Sequence, residues 1–251
     1  MRKLLGLLAL TALAAAAQTL PVAGTFRTDL SKRSIELKEL RGGGPPKDGI
    51  PSIDDPKFVS TEAARDWLDD REPVMWVEHD GETRVYPLQI LIYHELVNDA
   101  IGDLPFLVSY CPLCQSAVVF DRRLDGKTYS FGVSGMLRNS DMVMYDRETD
   151  SLWQQLTGDA IVGELTGKVL TVVTSRLTHF GIVREARPEA RVLSRETGVN
   201  RPYGQSPYVG YERGGEQMFP ANYPHARQIR PLDRLVVLRR GDRAVAYPLK
   251  E

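Results

Sequence analysis

Two cysteines, Cys111 and Cys114, lie three residues apart in the run Tyr110-Cys111-Pro112-Leu113-Cys114-Gln115, and the 251-residue chain has no others. Thiols this close can exchange two electrons as a disulfide, attack an electrophile, hold one side of a metal ion, or staple a turn. A staple that closes so short a loop contributes only about 2 kcal/mol before strain. That is little for the single bridge of a chain this long.

Imidazole beside a thiol either stabilises a thiolate or completes a metal site. Of the four histidines, His94 leads, because the apolar spacing of Leu88, Leu91, Ile92, Leu96 and Val97 predicts a helix from Pro87 to Asn98. That helix feeds the strand ending at Cys111. On it His94 shares a face with Asn98, and Glu95 with Asp99. The candidate catalytic set is therefore Cys111, Cys114, His94 and Glu95. The candidate ligand set, for copper or zinc, is Cys111, Cys114 and His94. A core histidine bonded to a backbone carbonyl is the competing structural use. His79 and His225 fall in a turn and a polar loop, and His179 at a helix start.

Asn98, Asp99, Asn139, Ser140 and Asp141 are the candidate supporting or substrate-binding residues. The last three follow a Gly-containing loop, where they could orient a substrate or a ligating imidazole, or simply form an Asx-type turn. Met136, Met142 and Met144 invite copper. Met142 and Met144 share strand parity, which points to core packing instead.

The elements that must position these groups are mostly strands. Pro73 to Glu78 and Thr83 to Tyr86 flank an Asp80-Gly81 hairpin turn. Pro105–Tyr110, Ser116–Asp121, Thr128–Val133, Asp141–Asp146, Ser151–Leu156 and Val169–Val173 follow. Short helices are expected after Ser60 and Thr178. The fold class is α+β, with mixed or antiparallel sheets, or a partly closed barrel, and a few short helices. The residues after Cys114 are β-branched and aromatic, whereas a thioredoxin-like motif opens a helix.

Arg2-Lys3, the uncharged apolar stretch Leu4–Ala17 and the small residues Ala15-Ala16-Ala17 have the order of a secretory signal, with cleavage near Ala17. The mature protein is then periplasmic or secreted, with no transmembrane segment. Residues 1–17 are read as the signal, 18–56 as an extended Gly/Pro-rich arm, and 57–251 as one β-rich domain. Val237–Leu249 echoes 77–88 as strand, Gly turn, strand and Tyr-Pro-Leu, either by chance or by duplication.

Asp48-Gly49-Ile50-Pro51, Tyr86-Pro87-Leu88, His94-Glu95-Leu96-Val97-Asn98-Asp99 and Tyr110-Cys111-Pro112-Leu113-Cys114 carry a resemblance. So do Phe131-Gly132-Val133-Ser134-Gly135, Asn139-Ser140-Asp141, Met144-Tyr145-Asp146-Arg147 and Ser151-Leu152-Trp153. Together they resemble the bacterial domain-of-unknown-function family numbered 3179, over roughly Gly49 to Leu249. The resemblance implies an exported bacterial protein of unassigned activity. Gln115 departs from it, standing where Gly is expected.

Thirty-two basic against 33 acidic side chains leave no excess charge for nucleic acid. No nucleotide-binding glycine loop occurs, and no His follows Cys114 for c-type haem. The partners left are a small molecule, a metal ion or another exported protein. The function is thiol–disulfide or thiol-nucleophile chemistry with His94, metal binding through the same residues, or a binding module with an inert disulfide.

Overall fold

The computed structural model describes residues 20–211, 218–222, 229, 232–241 and 243–249. The signal segment and His225 lie outside the described residues. Short strands in several sheets, with three short α-helices among the described residues, make a β-rich α+β fold; among those residues none of the sheets closes into a barrel.

One five-stranded sheet runs in the order Ser175–His179, Pro73–His79, Glu82–Pro87, Arg191–Leu193, Phe58–Ser60. Only its Arg191–Leu193/Glu82–Pro87 pair is parallel. Val74, Met75, Trp76 and Val77 are buried in succession, as a strand covered on both faces requires. Asp80 and Gly81, both at positive φ, make the two-residue turn their sequence predicts.

Two of the other sheets hold the cysteines and Asp141. The first is antiparallel: Arg41–Gly42, Phe131–Arg138, Asp141–Asp146, Leu152–Gln154 and Ala160–Val162. The second has three strands, Leu96–Ile101, Leu104–Cys111 and Ser116–Asp121. They share a core in which Leu107, Phe120, Phe131, Met142, Met144 and Trp153 pack with Cys111. Both methionines are buried there, as their parity predicts. The arm before residue 57 has little regular structure, yet Ile53 pairs with Val97 and so lies along the three-stranded sheet.

Three local expectations change. The helix runs only from Leu88 to His94, and Leu96–Ile101 is a strand paired with Leu104–Ser109. His94 and Asn98 therefore share no helix face, nor do Glu95 and Asp99. A short apolar run fits either period. Here the pairing offered by the next strand decides, a long-range term that local propensity does not contain.

The Thr128–Val133 strand divides into Lys127–Thr128 and Phe131–Arg138. The latter continues through a bulge at Ser134-Gly135, where a loop was expected. Gly135 has φ +78, and a Cβ there would lie 2.2 Å from the Pro45 carbonyl oxygen, so the arm requires a glycine. Val169–Val173 contributes only isolated bridges.

The echoing hairpin forms as Leu235–Arg240 and Arg243–Pro248, which pair with each other. Among the described residues, no helix is long and apolar enough to cross a membrane.

Candidate functional site

Cys111 ends the middle strand of the three-stranded sheet, and Cys111 pairs with Ser116 across the intervening turn. Pro112, Leu113, Cys114 and Gln115 are thus a four-residue hairpin loop, with Cys111 at its strand end. A second hairpin turn, Asn139-Ser140, reaches it from the neighbouring sheet and delivers Asp141. Two chain reversals from different sheets make the site. Both cysteines are free; Cys111 is buried and Cys114 half-buried. The two sulfurs and an Asp141 carboxylate oxygen lie within 4.8 Å of one another.

The polar surroundings of the sulfurs can be followed proton by proton. Ser109 Oγ donates to the Val118 carbonyl at 2.8 Å, so it accepts from Gln155 Nε2 at 2.9 Å. This orients the Gln155 amide, whose Oε1 accepts the Ser116 hydroxyl proton at 2.8 Å. Ser116 Oγ therefore meets Cys114 Sγ, 3.0 Å away, with a lone pair. Cys114 Sγ also lies 3.2 Å from Asp141 Oδ1, and Cys111 Sγ 4.0 Å from the Ser140 carbonyl oxygen. Apart from the two thiols, which hydrogen-bond each other, the hydrogen-bonding groups met by the sulfurs among the described residues are acceptors: the Ser140 carbonyl, the Ser116 oxygen and the Asp141 carboxylate.

Burial, the adjoining Cys114 and the negative groups Asp141 and Glu95 push the Cys111 thiol up. Burial also raises the Asp141 carboxyl, against hydrogen bonds from Gln154 Nε2, the Leu156 amide at 3.1 Å and Cys114. Such an environment disfavours thiolate unless a cation accompanies it.

Glu95 forms the corner between helix and strand, with φ 60 and ψ −36. Its carbonyl accepts from the Tyr110 amide at 2.8 Å, which sets it against the strand ending at Cys111. The residue is 7% exposed. Burial, and then Asp141, push its carboxyl up to about 8.

His94 stands apart from the three-atom cluster. Its Nδ1 is 2.7 Å from the Pro51 carbonyl oxygen and its Nε2 2.6 Å from Tyr203 Oη. Burial lowers its pKa. Asn98 is a clamp between sheets: Nδ2 donates to the Phe131 carbonyl at 2.8 Å and to Asp54 at 2.7 Å, and Oδ1 accepts from the Phe131 amide at 2.9 Å. Asn98→Ala is expected to destabilise the fold by about 2–4 kcal/mol, because it orphans buried backbone groups. Denaturant unfolding checks this; a loss below about 1 kcal/mol would count against the clamp.

Asp99 binds Arg84 Nη1 and the Tyr86 hydroxyl, both at 2.5 Å, on the other side of its strand. Asn139 is exposed and accepts from the Asn222 amide at 3.1 Å. Ser140 Oγ is buried without a partner of hydrogen-bond geometry, beside the Tyr211 hydroxyl, which donates to the Leu113 carbonyl at 2.8 Å. The structure thus gathers Cys111, Cys114, Asp141, Ser140 and Glu95. It leaves Asn98, Asp99 and Asn139 with structural partners, and His94 in a separate hydrogen-bonded chain.

Ser109, Ser116, Gln154, Gln155 and Tyr211 join the site without having been anticipated. A polar Gln-Gln pair closing an apolar strand was the only sequence signal for two of them. Gln115 sits at φ 49, a left-handed position that glycine takes without strain. Gln115→Gly relieves about 1–2 kcal/mol of backbone strain and loses about half of that to unfolded-chain entropy. Its midpoint of unfolding should therefore rise; an unchanged or lower midpoint would contradict the strain.

No curated protein and no solved structure matches this chain. Residues 47–251 match the family described as "Protein of unknown function (DUF3179)", and the chain belongs to that family.

Proposed function

We propose that this protein binds a soft metal cation, zinc or copper(I), through Cys111, Cys114 and a carboxylate oxygen of Asp141. One observation carries the reading: three ligand atoms lie within 4.8 Å of one another, and among the described residues the groups that hydrogen-bond the thiol pair from outside are acceptors. Such a site needs positive charge. Thiol protons supply it in the absence of a metal, and an ion displaces them by using the same lone pairs.

Thiol-nucleophile chemistry needs the opposite surroundings, a donor or a cation that lowers the thiol pKa. His94 would be that group, but both its nitrogens are held by Pro51 and Tyr203. Asp141 takes the place in the ligand set that the sequence gave to His94.

The test is to titrate reduced, metal-free protein anaerobically with Co²⁺, Zn²⁺ and Cu⁺. One ion per chain is expected, with thiolate-to-cobalt charge transfer in the near ultraviolet. Absence of a stoichiometric ion and of that band overturns the proposal. We also place the site outside the cytoplasm, on the order of the Arg2-Lys3 and Leu4–Ala17 segments. N-terminal sequencing of the exported protein should begin near Gln18; an intact Met1 on a membrane-embedded product is the contrary result.

A further inference from the structure

We infer that Cys111 and Cys114 are a redox gate on this centre: a disulfide oxidant closes a bridge between them and expels the ion, and a thiol reductant restores the site. The inference rests on the cation-binding reading and goes beyond it in naming how occupancy of the site is regulated.

The geometry makes ligation and bridging compete. Both cysteines are free, and their sulfurs lie within 4.8 Å of each other. They stand on one hairpin, Cys111 at the strand end and Cys114 in the loop, so a bridge forms without breaking any strand pairing. Bridged sulfurs carry no thiolate charge to give an ion. Oxidation therefore leaves Asp141 alone of the three ligands.

Access to the two sulfurs differs and sets the order of the steps. Cys114 is half-buried, whereas Cys111 is 1% exposed, so an incoming disulfide meets Cys114 first. The Cys114 sulfur attacks it, forms a mixed disulfide and releases one thiolate of the oxidant. Cys111 then attacks the Cys114 sulfur and releases the second. Two electrons pass from the cysteines to the S–S bond of the oxidant. In the metal-free site the two thiol protons leave on the two released thiols. In the loaded site those protons are already gone, and the ion departs with the two thiolates.

The surroundings decide where the gate rests. The Ser140 carbonyl, the Ser116 oxygen and the Asp141 carboxylate meet the sulfurs as acceptors. A thiol donates to such groups, whereas a disulfide has no proton and sets its lone pairs against theirs. The reduced pair is favoured, so the bridge should yield to mild thiol reductants, as a structural disulfide does not. The same acceptors disfavour free thiolate and slow each exchange, as suits a gate rather than a catalyst.

The test treats reduced, Zn²⁺-loaded wild type with glutathione disulfide and follows free thiols, protein mass and released ion together. Two thiols should be lost for each ion released, with no glutathione left on the chain, and dithiothreitol should restore both thiols and uptake. Cys111→Ser should stop at one glutathione adduct on Cys114, while Cys114→Ser should stay unmodified. In metal-free Ser116→Ala the equilibrium constant for bridging should rise about fivefold, because one acceptor that favours the thiol is gone. An unchanged or smaller constant overturns the acceptor bias. Persistent mixed disulfides on wild type, or an ion retained after both thiols are lost, overturn the gate and leave the cation site standing; wild type alone decides this if a variant fails to fold. If wild type takes up no ion, the cation reading falls and the gate with it.

Discussion

The Cys111→Ser/Cys114→Ser double variant is expected to lose metal binding by more than about a thousandfold while remaining folded. A structural zinc-type site is worth roughly 10–16 kcal/mol at neutral pH, so removing both thiolates takes away a large share of that. Asp141 and its neighbours cannot replace them, because oxygen ligands lack the affinity of thiolate for a soft ion. Stability should change little. A serine hydroxyl at position 111 finds the same Ser140 carbonyl acceptor that the thiol faces, and at 114 the same Asp141 carboxylate. The cost of the exchange is at most about 2 kcal/mol for a buried hydroxyl.

Isothermal titration and melting of both proteins, each reduced and metal-free, make the comparison. The contrary pattern, a large loss of stability with unaltered ion content, would identify the pair as a staple. Asp141→Asn should fall between wild type and the double variant in affinity, since one ligand of the set is then neutral.

Glu95→Gln should flatten the loss of stability that the metal-free wild type suffers as pH rises. An acid whose folded pKa is about 8, against an ordinary value of 4.5, holds its proton in the folded state after the unfolded chain has released it. Folding is then favoured most below about pH 4.5, and the advantage is lost as pH rises toward 8. Above pH 8 the folded state carries a buried carboxylate, at a cost of several kcal/mol and at most about 5. Asp141, also raised, acts in the same direction.

His94 works oppositely: its lowered pKa costs stability as pH falls below about 6.5, where the unfolded imidazole takes up a proton. The difference between wild type and Glu95→Gln cancels that contribution. Denaturant curves from pH 4.5 to 9 should show the two proteins alike at the acid end, with the variant increasingly more stable toward alkaline pH. Parallel curves would mean that Glu95 does not titrate in this window.

The sequence alone singled out Cys111 and Cys114 as the candidate site, the two cysteines of the chain standing three residues apart. The β-rich class was also legible in it, since short β-branched and aromatic runs bounded by turns such as Asp80-Gly81 favour strands. The burial of Met142 and Met144 followed from period-2 parity, which any strand imposes.

Only the tertiary structure decided who joins the cysteines. Asp141 lies 27 residues from Cys114 and Gln155 46 from Ser109, and both arrive because turns of two separate sheets meet. No local pattern encodes that meeting. His94, nearer in sequence, was expected at the thiols on the assumption of a helix continuing to Asn98. The strand pairing of Leu96–Ile101 ended that helix, put Glu95 at the corner and held His94 to Pro51 and Tyr203. Residue type thus fixed what chemistry is possible. Long-range pairing of backbone groups, which must all find partners on burial, fixed which groups stand beside the thiols.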